Sequence, residues 1–386
     1  MRKSIVIAGS LAQRPGIGGH TWVFLQYILG FKRLGWDVLF VDWLDPSMCR
    51  DAAGQPCAID DSLNLKRFLE VMHRFGLDDS FALLCRGASR EIGHSRGDVL
   101  DFTRNAAGLI NIMGFLNDDE ILAAARRRVF LDIDPGFPQM WKELGLSDLF
   151  RGHDDFVTIG ENIGRDGCEI PTCGLHWHTT PPPIVLEEWP AHAEWTSEWF
   201  TSIATWRGSY GPVDYGGKTY GLRVHEFRKF FELPKRSGVG FELALDIHAD
   251  EAPDLTKLRE QGWLLVDPKL TVSGPWAYRA YVQSSMAELM VAKNMYVQTK
   301  GGWFSDRSTC YLACGRPVLA QDTGFSVNYP TGTGLVAFTT LDEAVSGAQE
   351  IAGNYGAHCQ RAREIAEEFF DSDKVLSRLA EKLNLA

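Results

Sequence analysis

The sequence predicts an α/β protein made of two Rossmann-like halves, each with parallel strands and covering helices. The first observation is the order strand, glycine-rich loop, helix, strand within residues 5–41, because such a crossover makes the two strands parallel. The second is that the same alternation restarts near residue 200, after a proline-rich stretch. The third is the length of 386 residues, about twice that of a common domain.

The first half opens with this unit. Apolar residues 5–8 predict a buried strand, apolar residues at helical spacing from Thr21 predict a helix, and residues 38–41 predict the second strand. Ligands of parallel sheets bind beyond the carboxyl ends of the strands. The loop 16–20 and Asp42 are therefore predicted to face one crevice. The glycine spacing in that loop differs from the dinucleotide fingerprint, so no cofactor is predicted.

The rest of the chain continues the alternation. In the first half, helices are predicted at 63–75 and 121–127, and strands at 81–85, 129–132 and 156–160. In the second half, strands are predicted at 200–205, 241–246 and 263–268, and helices at 278–289, 341–351, 361–370 and 375–383. The glycine-rich segment that follows the strand 200–205 contains Arg207, Ser209 and Lys218, and its two cations are candidates for contacts with an anion.

The most informative segment is 300–320. Two glycines precede Ser305 and Asp306, which are both good helix N-cap residues, and a short helix is predicted from there to Gly315. Pro317 blocks continuation of the helix, and residues 318–320 predict a buried strand. A glycine turn that opens a helix presents free backbone N–H groups, and these bind phosphates. The sequence therefore predicts a diphosphate site at the start of this helix.

This segment resembles the donor half of GT-B glycosyltransferases, where the equivalent turn reads roughly His-Cys-Gly-Trp-Asn-Ser. The matching positions here are Lys300, Gly302, Trp303 and Ser305. The resemblance implies that a nucleotide sugar is held by Arg207, Lys218, His248, Lys300, Gly302, Ser305, Asp306, Arg307, Gln321, Asp322 and Gly324. Where the family has an acidic residue in the helix, this chain has Ser308, Thr309 and Cys310. The residue that contacts the nucleoside, and whether the sugar is transferred with retention or inversion, therefore stay open. The alternative to a donor site is that this segment is a βαβ turn that binds no ligand.

The start of the chain resembles the acceptor side of the same enzymes. Gly19-His20-Thr21 precedes the first helix, as a Gly-His pair does there, and Gly18 and Gly19 are assigned to the acceptor-side loop. His20 is the predicted general base, because histidine titrates near neutrality and an acceptor hydroxyl must lose a proton. Asp134 is the other candidate base. The alternative for His20 is a residue that only fixes the loop.

Asp132 and Asp134 form an Asp-x-Asp pair, which in GT-A glycosyltransferases holds a divalent metal. Because this pair ends a strand of a Rossmann-like series, we expect one carboxylate to cap the turn and Asp134 to line the crevice. No metal is predicted, since cations and helix amides can neutralise a leaving diphosphate. His176 and His178 lack a third ligand nearby and predict a packed or acceptor-facing loop at 175–179.

The domain prediction follows from these resemblances. An acceptor-side domain is predicted at 1–190, a donor-binding domain at 191–350, and C-terminal helices at 351–386 that cross back to the first domain. Prolines 181–183 mark the junction, since they favour an extended connector.

Composition restricts the partners. A net charge of −11 argues against nucleic acid and anionic membranes as main partners. No apolar run is long enough for a signal peptide or a membrane span, and the eight cysteines include no Cys-x-x-Cys pair. We expect a cytoplasmic monomer or homodimer.

The predicted activity is transfer of a hexose or deoxysugar from a UDP- or dTDP-sugar to a hydroxyl of a natural product or glycan. Two alternatives remain from the sequence. One is an epimerase or hydrolase of the same fold that consumes the donor without an acceptor. The other is a degenerate module that binds a sugar nucleotide without catalysis, favoured by the missing acidic residue.

Overall fold

The computed structural model describes residues 3–86, 91–191, 197–208 and 210–385. Ser209, which the sequence placed in a glycine-rich loop, lies outside these ranges. Within them, no helix is long and apolar enough to cross a membrane.

The first half contains an eight-stranded sheet in the order β4-β3-β2-β1-β5-β6-β7-β8. All of its strand pairs are parallel except β3 with β4. The strands are β1 Ser4–Ala8, β2 Asp37–Leu44, β3 Phe81–Cys85, β4 Glu91–Gly93, β5 Leu109–Ile112, β6 Arg128–Asp132, β7 Asp155–Thr158 and β8 Trp177–Thr179.

The second half contains a parallel six-stranded sheet in the order β13-β12-β9-β14-β15-β16 and a hairpin of β10 and β11. Its strands are β9 Phe200–Thr205, β10 Val213–Tyr215, β11 Lys218–Tyr220, β12 Phe241–Asp246, β13 Leu264–Val266, β14 Ala287–Met290, β15 Val318–Gln321 and β16 Leu335–Phe338.

Helices cover both sheets. They are α1 Gly18–Arg33, α2 Leu63–Arg74, α3 Arg96–Asn105, α4 Asp119–Ala124, α5 Phe137–Glu143, α6 Arg223–Phe227, α7 Leu233–Ser237, α8 Ala252–Glu260, α9 Pro268–Thr271, α10 Gly274–Ser284, α11 Asn294–Thr299, α12 Asp306–Ala313, α13 Leu341–Gly353, α14 Tyr355–Ile365 and α15 Ser372–Lys382. A π-helical turn, Ala366–Phe370, follows α14.

The strand and helix predictions are largely confirmed, with two corrections. The segment 175–179 is not a loop, because β8 adds to the sheet edge beside β7. The helix predicted at 278–289 ends at Ser284, and β14 follows it. The β14 residues Ala-Glu-Leu-Met favour a helix intrinsically. Packing between β9 and β15 overrides that preference.

Helix α1 joins the two halves. A side-chain carbon at Gly18 would lie 2.3 Å from the Gly274 carbonyl oxygen, so only glycine permits this approach to α10. The indole of Trp22 donates a hydrogen bond to the carbonyl of Pro275 at 2.8 Å. Gly18, which was predicted to serve an acceptor, thus also lets the halves pack together.

The C-terminal helix returns to the first half, as predicted. A side-chain carbon at Gly30 of α1 would lie 2.4 Å from a methyl of Leu376 in α15. The Ile184 N–H donates to the Phe370 carbonyl at 2.8 Å, and the Ser372 N–H donates to the Ile184 carbonyl at 2.9 Å. The fold class is therefore confirmed, while the domain boundaries near 190 and 350 stay predictions.

Candidate functional site

A cleft of about 480 Å³ lies where the carboxyl ends of the two sheets face each other. The first half contributes the loop that follows β1 and the residues after β5 and β6. The second half contributes the ends of β9 and β12, the segment after β14, and the start of α12. This is the position at which parallel α/β sheets bind ligands.

The start of α12 is formed by local signals in the sequence. The Ser305 hydroxyl accepts a hydrogen bond from the Arg307 N–H at 3.3 Å, and Gly315 has a φ of 68° just beyond the helix. Ser305, Asp306 and Arg307 line the cleft. The predicted helix is confirmed, and its N-terminal N–H groups and positive dipole end lie at the cleft wall.

The cleft is richer in cations than the whole chain, which carries a net charge of −11. Among the described residues, its lining contains five cationic side chains and three carboxylates. The cations are Arg14, Arg223, Lys269, Lys293 and Arg307, and the carboxylates are Asp134, Asp246 and Asp306. The cleft is therefore suited to an anionic ligand.

Arg223, the first residue of α6, is half-buried at the cleft wall. Its Nε atom is buried and has no hydrogen-bond partner among the described residues. Burial, and secondarily the nearby Arg307, lower the pKa of this guanidinium to about 10. An unsatisfied buried nitrogen costs folding free energy, so Arg223 is a candidate for contact with an anionic ligand in the cleft.

Lys293 is held at the junction of the two halves. Its ammonium lies 2.9 Å from both carboxylate oxygens of Asp134. It also donates to the Tyr296 hydroxyl at 3.1 Å, and that hydroxyl donates to Asp134. The same nitrogen lies 4.9 Å from the ring centre of Phe137 and 5.7 Å from that of Tyr210. Asp134 and Phe137 come from the first half, and the other residues come from the second.

Arg307 combines a cleft position with a buried partner. Its Nε donates to Glu288 at 2.5 Å and one terminal nitrogen donates to the Ile203 carbonyl at 2.7 Å. Glu288 is fully buried in β14, and its second oxygen has no partner among the described residues. This ion pair fixes the guanidinium beside the start of α12.

His20 faces the cleft, but its chemistry differs from the expectation. Its Nε2 lies 3.0 Å from the Ser10 carbonyl oxygen, so that nitrogen carries the proton, and its ring packs edge-on against Phe24. Burial lowers the pKa of His20 to about 4 despite the hydrogen bond to Ser10. The imidazole is therefore neutral at pH 7, and it is a weaker base than a histidine that titrates near neutrality.

This lowered pKa predicts an acid-sensitive contribution to stability. The unfolded chain takes up a proton at His20 below about pH 6.5, whereas the folded protein does so only near pH 4. The contribution is thus fully present above pH 6.5 and is lost as the pH falls toward 4. When the pH falls from 7 to 5, the unfolding free energy of the wild type should therefore decrease by about 1 kcal/mol more than that of His20→Gln. This figure is smaller than the full effect of the pKa shift, because His20 is partly exposed to solvent.

Urea unfolding at the two pH values measures this difference. The matched control is His248→Gln, whose imidazole lies on the surface, and it should follow the wild type. Equal losses for the wild type and His20→Gln would contradict a buried, neutral imidazole.

The structure brings together about half of the predicted site. The predicted residues that line the cleft are Gly18, Gly19, His20, Asp134, Ser305, Asp306 and Arg307. The predicted residues absent from its described lining are Arg207, Lys218, His248, Lys300, Gly302, Gln321, Asp322 and Gly324.

The predicted cations outside the cleft have other partners. Arg207 pairs with Glu251, and Lys218 pairs with Glu169 at 2.5 Å. The Lys300 ammonium donates to the Asp322 carbonyl at 3.1 Å. His248 is another exposed residue, and its Nδ1 accepts a hydrogen bond from the Asp250 N–H at 3.2 Å.

The other predicted donor residues have structural roles in the segments just before α12 and at the end of β15. The Gln321 side chain is buried and donates to Glu226 at 2.6 Å. Asn162 of the first half donates to the Gly324 carbonyl at 2.9 Å. A side-chain carbon at Gly302 would lie 2.8 Å from the Asn162 side chain, and the Asp322 carboxylate accepts a hydrogen bond from the Gly324 N–H.

Asp42, which was predicted to face the crevice, is instead structural. It is fully buried and accepts hydrogen bonds from the Ala12 N–H at 2.7 Å and the Trp43 N–H at 2.6 Å. Asp132 caps the turn after β6, as expected for one carboxylate of its pair, by accepting a hydrogen bond from the Asp134 N–H at 3.0 Å. It is also buried and accepts from Gln139 and Thr158, each at 2.8 Å. The described residues contain no group of three or more His, Cys, Asp or Glu side chains placed to hold a metal ion.

Sequence reasoning missed the main cleft cations, Arg223 and Lys293. Arg223 begins a five-residue helix, which is too short to show a helical spacing of apolar residues in the sequence. Lys293 follows β14, so recognising that strand would have placed it at a carboxyl end. Tyr210 and Asp246 also line the cleft, and Asp246 ends the predicted strand β12.

Comparison by sequence finds no matching family model and no matching curated protein. By structure, the chain is similar to an α-glucosyltransferase in complex with UDP, with a TM-score of 0.60, 12% identity and 100% of both chains covered. Other structures of an α-glucosyltransferase contain UDP-glucose or UDP together with DNA.

Two further structures are similar over nearly their whole length. Sucrose-phosphate synthase from Thermosynechococcus elongatus gives a TM-score of 0.55 at 11% identity, with 99% of this chain and 98% of that chain covered. A glycosyltransferase involved in avilamycin A biosynthesis gives 0.54 at 12% identity, with 99% and 97% covered. Similarity at such low identity concerns the fold. The two facing Rossmann-like halves and the returning C-terminal helix therefore make this chain a GT-B fold protein.

Proposed function

We propose that this protein is a glycosyltransferase that moves a sugar from a nucleoside-diphosphate sugar to an acceptor hydroxyl without a metal ion. The observation that carries the proposal is Arg223, a half-buried residue in a cleft rich in cations, whose Nε is buried and has no partner among the described residues. The start of α12 lines the same cleft. A diphosphate would satisfy the cation and the helix amides together.

The donor half of the site is assigned to the second sheet. Arg223, Lys293 and the N-terminal N–H groups of α12 would neutralise the charge that develops on the departing diphosphate. Ser305, Asp306 and Arg307 remain in the proposed donor site, with UDP or dTDP as the nucleotide. Burial raises the pKa of Asp306 above its ordinary value.

The acceptor half is assigned to the first sheet. Met113, Phe115 and Ile133 give this side an apolar wall suited to a natural product or to the apolar face of a sugar. His20 and Asp134 are the polar groups available to an acceptor hydroxyl. With a pKa near 4, His20 would accept a hydrogen bond more readily than a proton at pH 7.

The structural neighbours support nucleotide-sugar transfer, since their names state UDP, UDP-glucose or glycosyltransferase activity. Some of the α-glucosyltransferase structures also contain DNA. For this chain we propose a small-molecule or glycan acceptor, because its net charge of −11 disfavours a DNA surface.

The experiment is calorimetric titration with UDP and dTDP, followed by assays of UDP- and dTDP-sugars with and without acceptors. Nucleotide binding together with acceptor-dependent donor loss, unchanged by EDTA, is the expected result. Donor loss without an acceptor would favour an epimerase or hydrolase. Binding without any donor loss would favour a degenerate binding module, and absence of binding would reject the proposal.

A further inference from the structure

The pair of Lys293 and Asp134 crosses the cleft between the two halves. Both carboxylate oxygens are 2.9 Å from the ammonium, and the side chains retain 22% and 18% of their solvent exposure. This pair is therefore accessible from the cleft, unlike the Glu288 carboxylate, which is sealed below Arg307. Asp134 is paired with a cation in this structure, which makes its carboxylate a weaker acceptor for the hydrogen bond or proton of an acceptor hydroxyl.

Lys293 also belongs to the cations assigned to the donor diphosphate. One ammonium has three N–H donors, and here they are directed to Asp134 and Tyr296. A phosphate that takes this ammonium as a partner must therefore compete with the carboxylate. We propose that the donor diphosphate and Asp134 compete for Lys293, and that donor binding releases Asp134 to accept a hydrogen bond from the acceptor hydroxyl. This inference rests on the proposed function.

The surroundings of Lys293 fit such an exchange. The rings of Phe137, Tyr210 and Tyr296 lie 4.9, 5.7 and 5.1 Å from its nitrogen, and their faces attract the cation. The ammonium therefore keeps aromatic partners while its anionic partner changes. Tyr296 donates its hydroxyl to Asp134, so the carboxylate keeps one anchor after Lys293 has turned to the phosphate.

The exchange imposes an order on binding. Without a donor, Lys293 and Asp134 form an ion pair, so an acceptor would bind beside a carboxylate whose charge is already balanced. With a donor, the phosphate takes the cation and the carboxylate becomes a free acceptor of hydrogen bonds. Donor binding should therefore precede productive acceptor binding.

A double-mutant cycle tests the exchange by calorimetric titration with UDP. Asp134→Asn is expected to bind UDP roughly fivefold more tightly than the wild type, because the competitor for Lys293 loses its charge. Lys293→Met is expected to bind UDP roughly tenfold more weakly. In the Lys293→Met background, adding Asp134→Asn should change the affinity less than about twofold, because no cation is left to compete for.

The control is Glu188→Gln. Glu188 pairs with Arg279 at 2.7 Å, and neither residue is among the described residues that line the cleft. Its loss should leave UDP affinity unchanged. With the donor saturating, the turnover of Asp134→Asn should fall although its UDP affinity rises, a split that general loosening of the fold would not produce.

Equal tightening by Asp134→Asn in both backgrounds would show simple charge repulsion and overturn the exchange. Unchanged or weaker UDP binding by Asp134→Asn would overturn it as well. These outcomes differ from failure of the proposed function, in which the wild type itself binds neither UDP nor dTDP.

Discussion

Arg223→Met is expected to weaken UDP binding by about ten- to a hundredfold, a loss of about 1.5–3 kcal/mol for a charge-assisted contact. Arg223 lines the cleft, and its Nε has no described partner, so hydrogen bonds within the protein do not saturate the guanidinium. Methionine keeps a long apolar chain but has no cation. Calorimetric titration of the two proteins with UDP measures the change.

The same substitution should not reduce stability. A buried charge is costly when its partners are incomplete, and an apolar side chain removes that cost. Arg223→Met without nucleotide should therefore unfold at the same temperature as the wild type or at a higher one. A variant that loses both stability and UDP binding would indicate that Arg223 mainly supports the fold.

Arg207→Met and Lys218→Met are the matched controls. Both cations were predicted to bind phosphate, and the structure pairs them with Glu251 and Glu169 outside the described cleft lining. Their UDP affinities should stay within about twofold of the wild type, because neither side chain is part of the described cleft lining. Loss of these exposed ion pairs should also change stability little. A loss as large as that of Arg223→Met would return the donor site to the loop after β9.

Glu226→Leu is expected to lower the unfolding free energy by about 2–5 kcal/mol, because two buried amides lose their acceptor. The Glu226 carboxylate is 1% exposed and accepts hydrogen bonds from Lys229 at 2.7 Å, and from Asn294 and Gln321, each at 2.6 Å. Leucine would leave the two buried amide groups without this acceptor. Urea unfolding at pH 7 measures the loss.

The network around Glu226 also positions the cleft cations. Asn294 accepts a hydrogen bond from the Gly221 N–H at 2.7 Å, and Gln321 accepts one from the Ala292 N–H at 3.1 Å. These contacts fix the backbone just before Arg223 and Lys293. Under conditions where Glu226→Leu stays folded, its UDP affinity should therefore be reduced.

Glu232→Leu, an exposed position nearby, is the control and should change stability by less than about 0.5 kcal/mol. A small effect of Glu226→Leu, comparable to that of the control, would contradict a buried network that the fold requires.

Local sequence signals predicted the fold well. The helix α12 was predictable because its cap, its terminal glycine and Pro317 lie within a dozen residues. The parallel strands β1, β6 and β12 were predictable from short apolar runs. Strand β14 was not, because its residues favour a helix and only its neighbours in the sheet make it a strand.

The site was less predictable, because its chemistry depends on distant residues. Asp134 and Lys293 are 159 positions apart, and Glu226 and Gln321 are 95 positions apart. The sequence shows cations in loops but does not show which of them already has a carboxylate partner. Arg207, Lys218 and Lys300 looked available for that reason, whereas Arg223 had no motif to mark it.

The packing of α15 on α1 has a consequence for biosynthesis. About 340 residues separate the end of α1 from the start of α15. At roughly 5–20 residues per second, a ribosome needs on the order of twenty seconds to a minute for that stretch. During this time the surface around Gly30 lacks the cover that Leu376 later provides, so the nascent first half is exposed to chaperones and proteases until translation reaches the final helix.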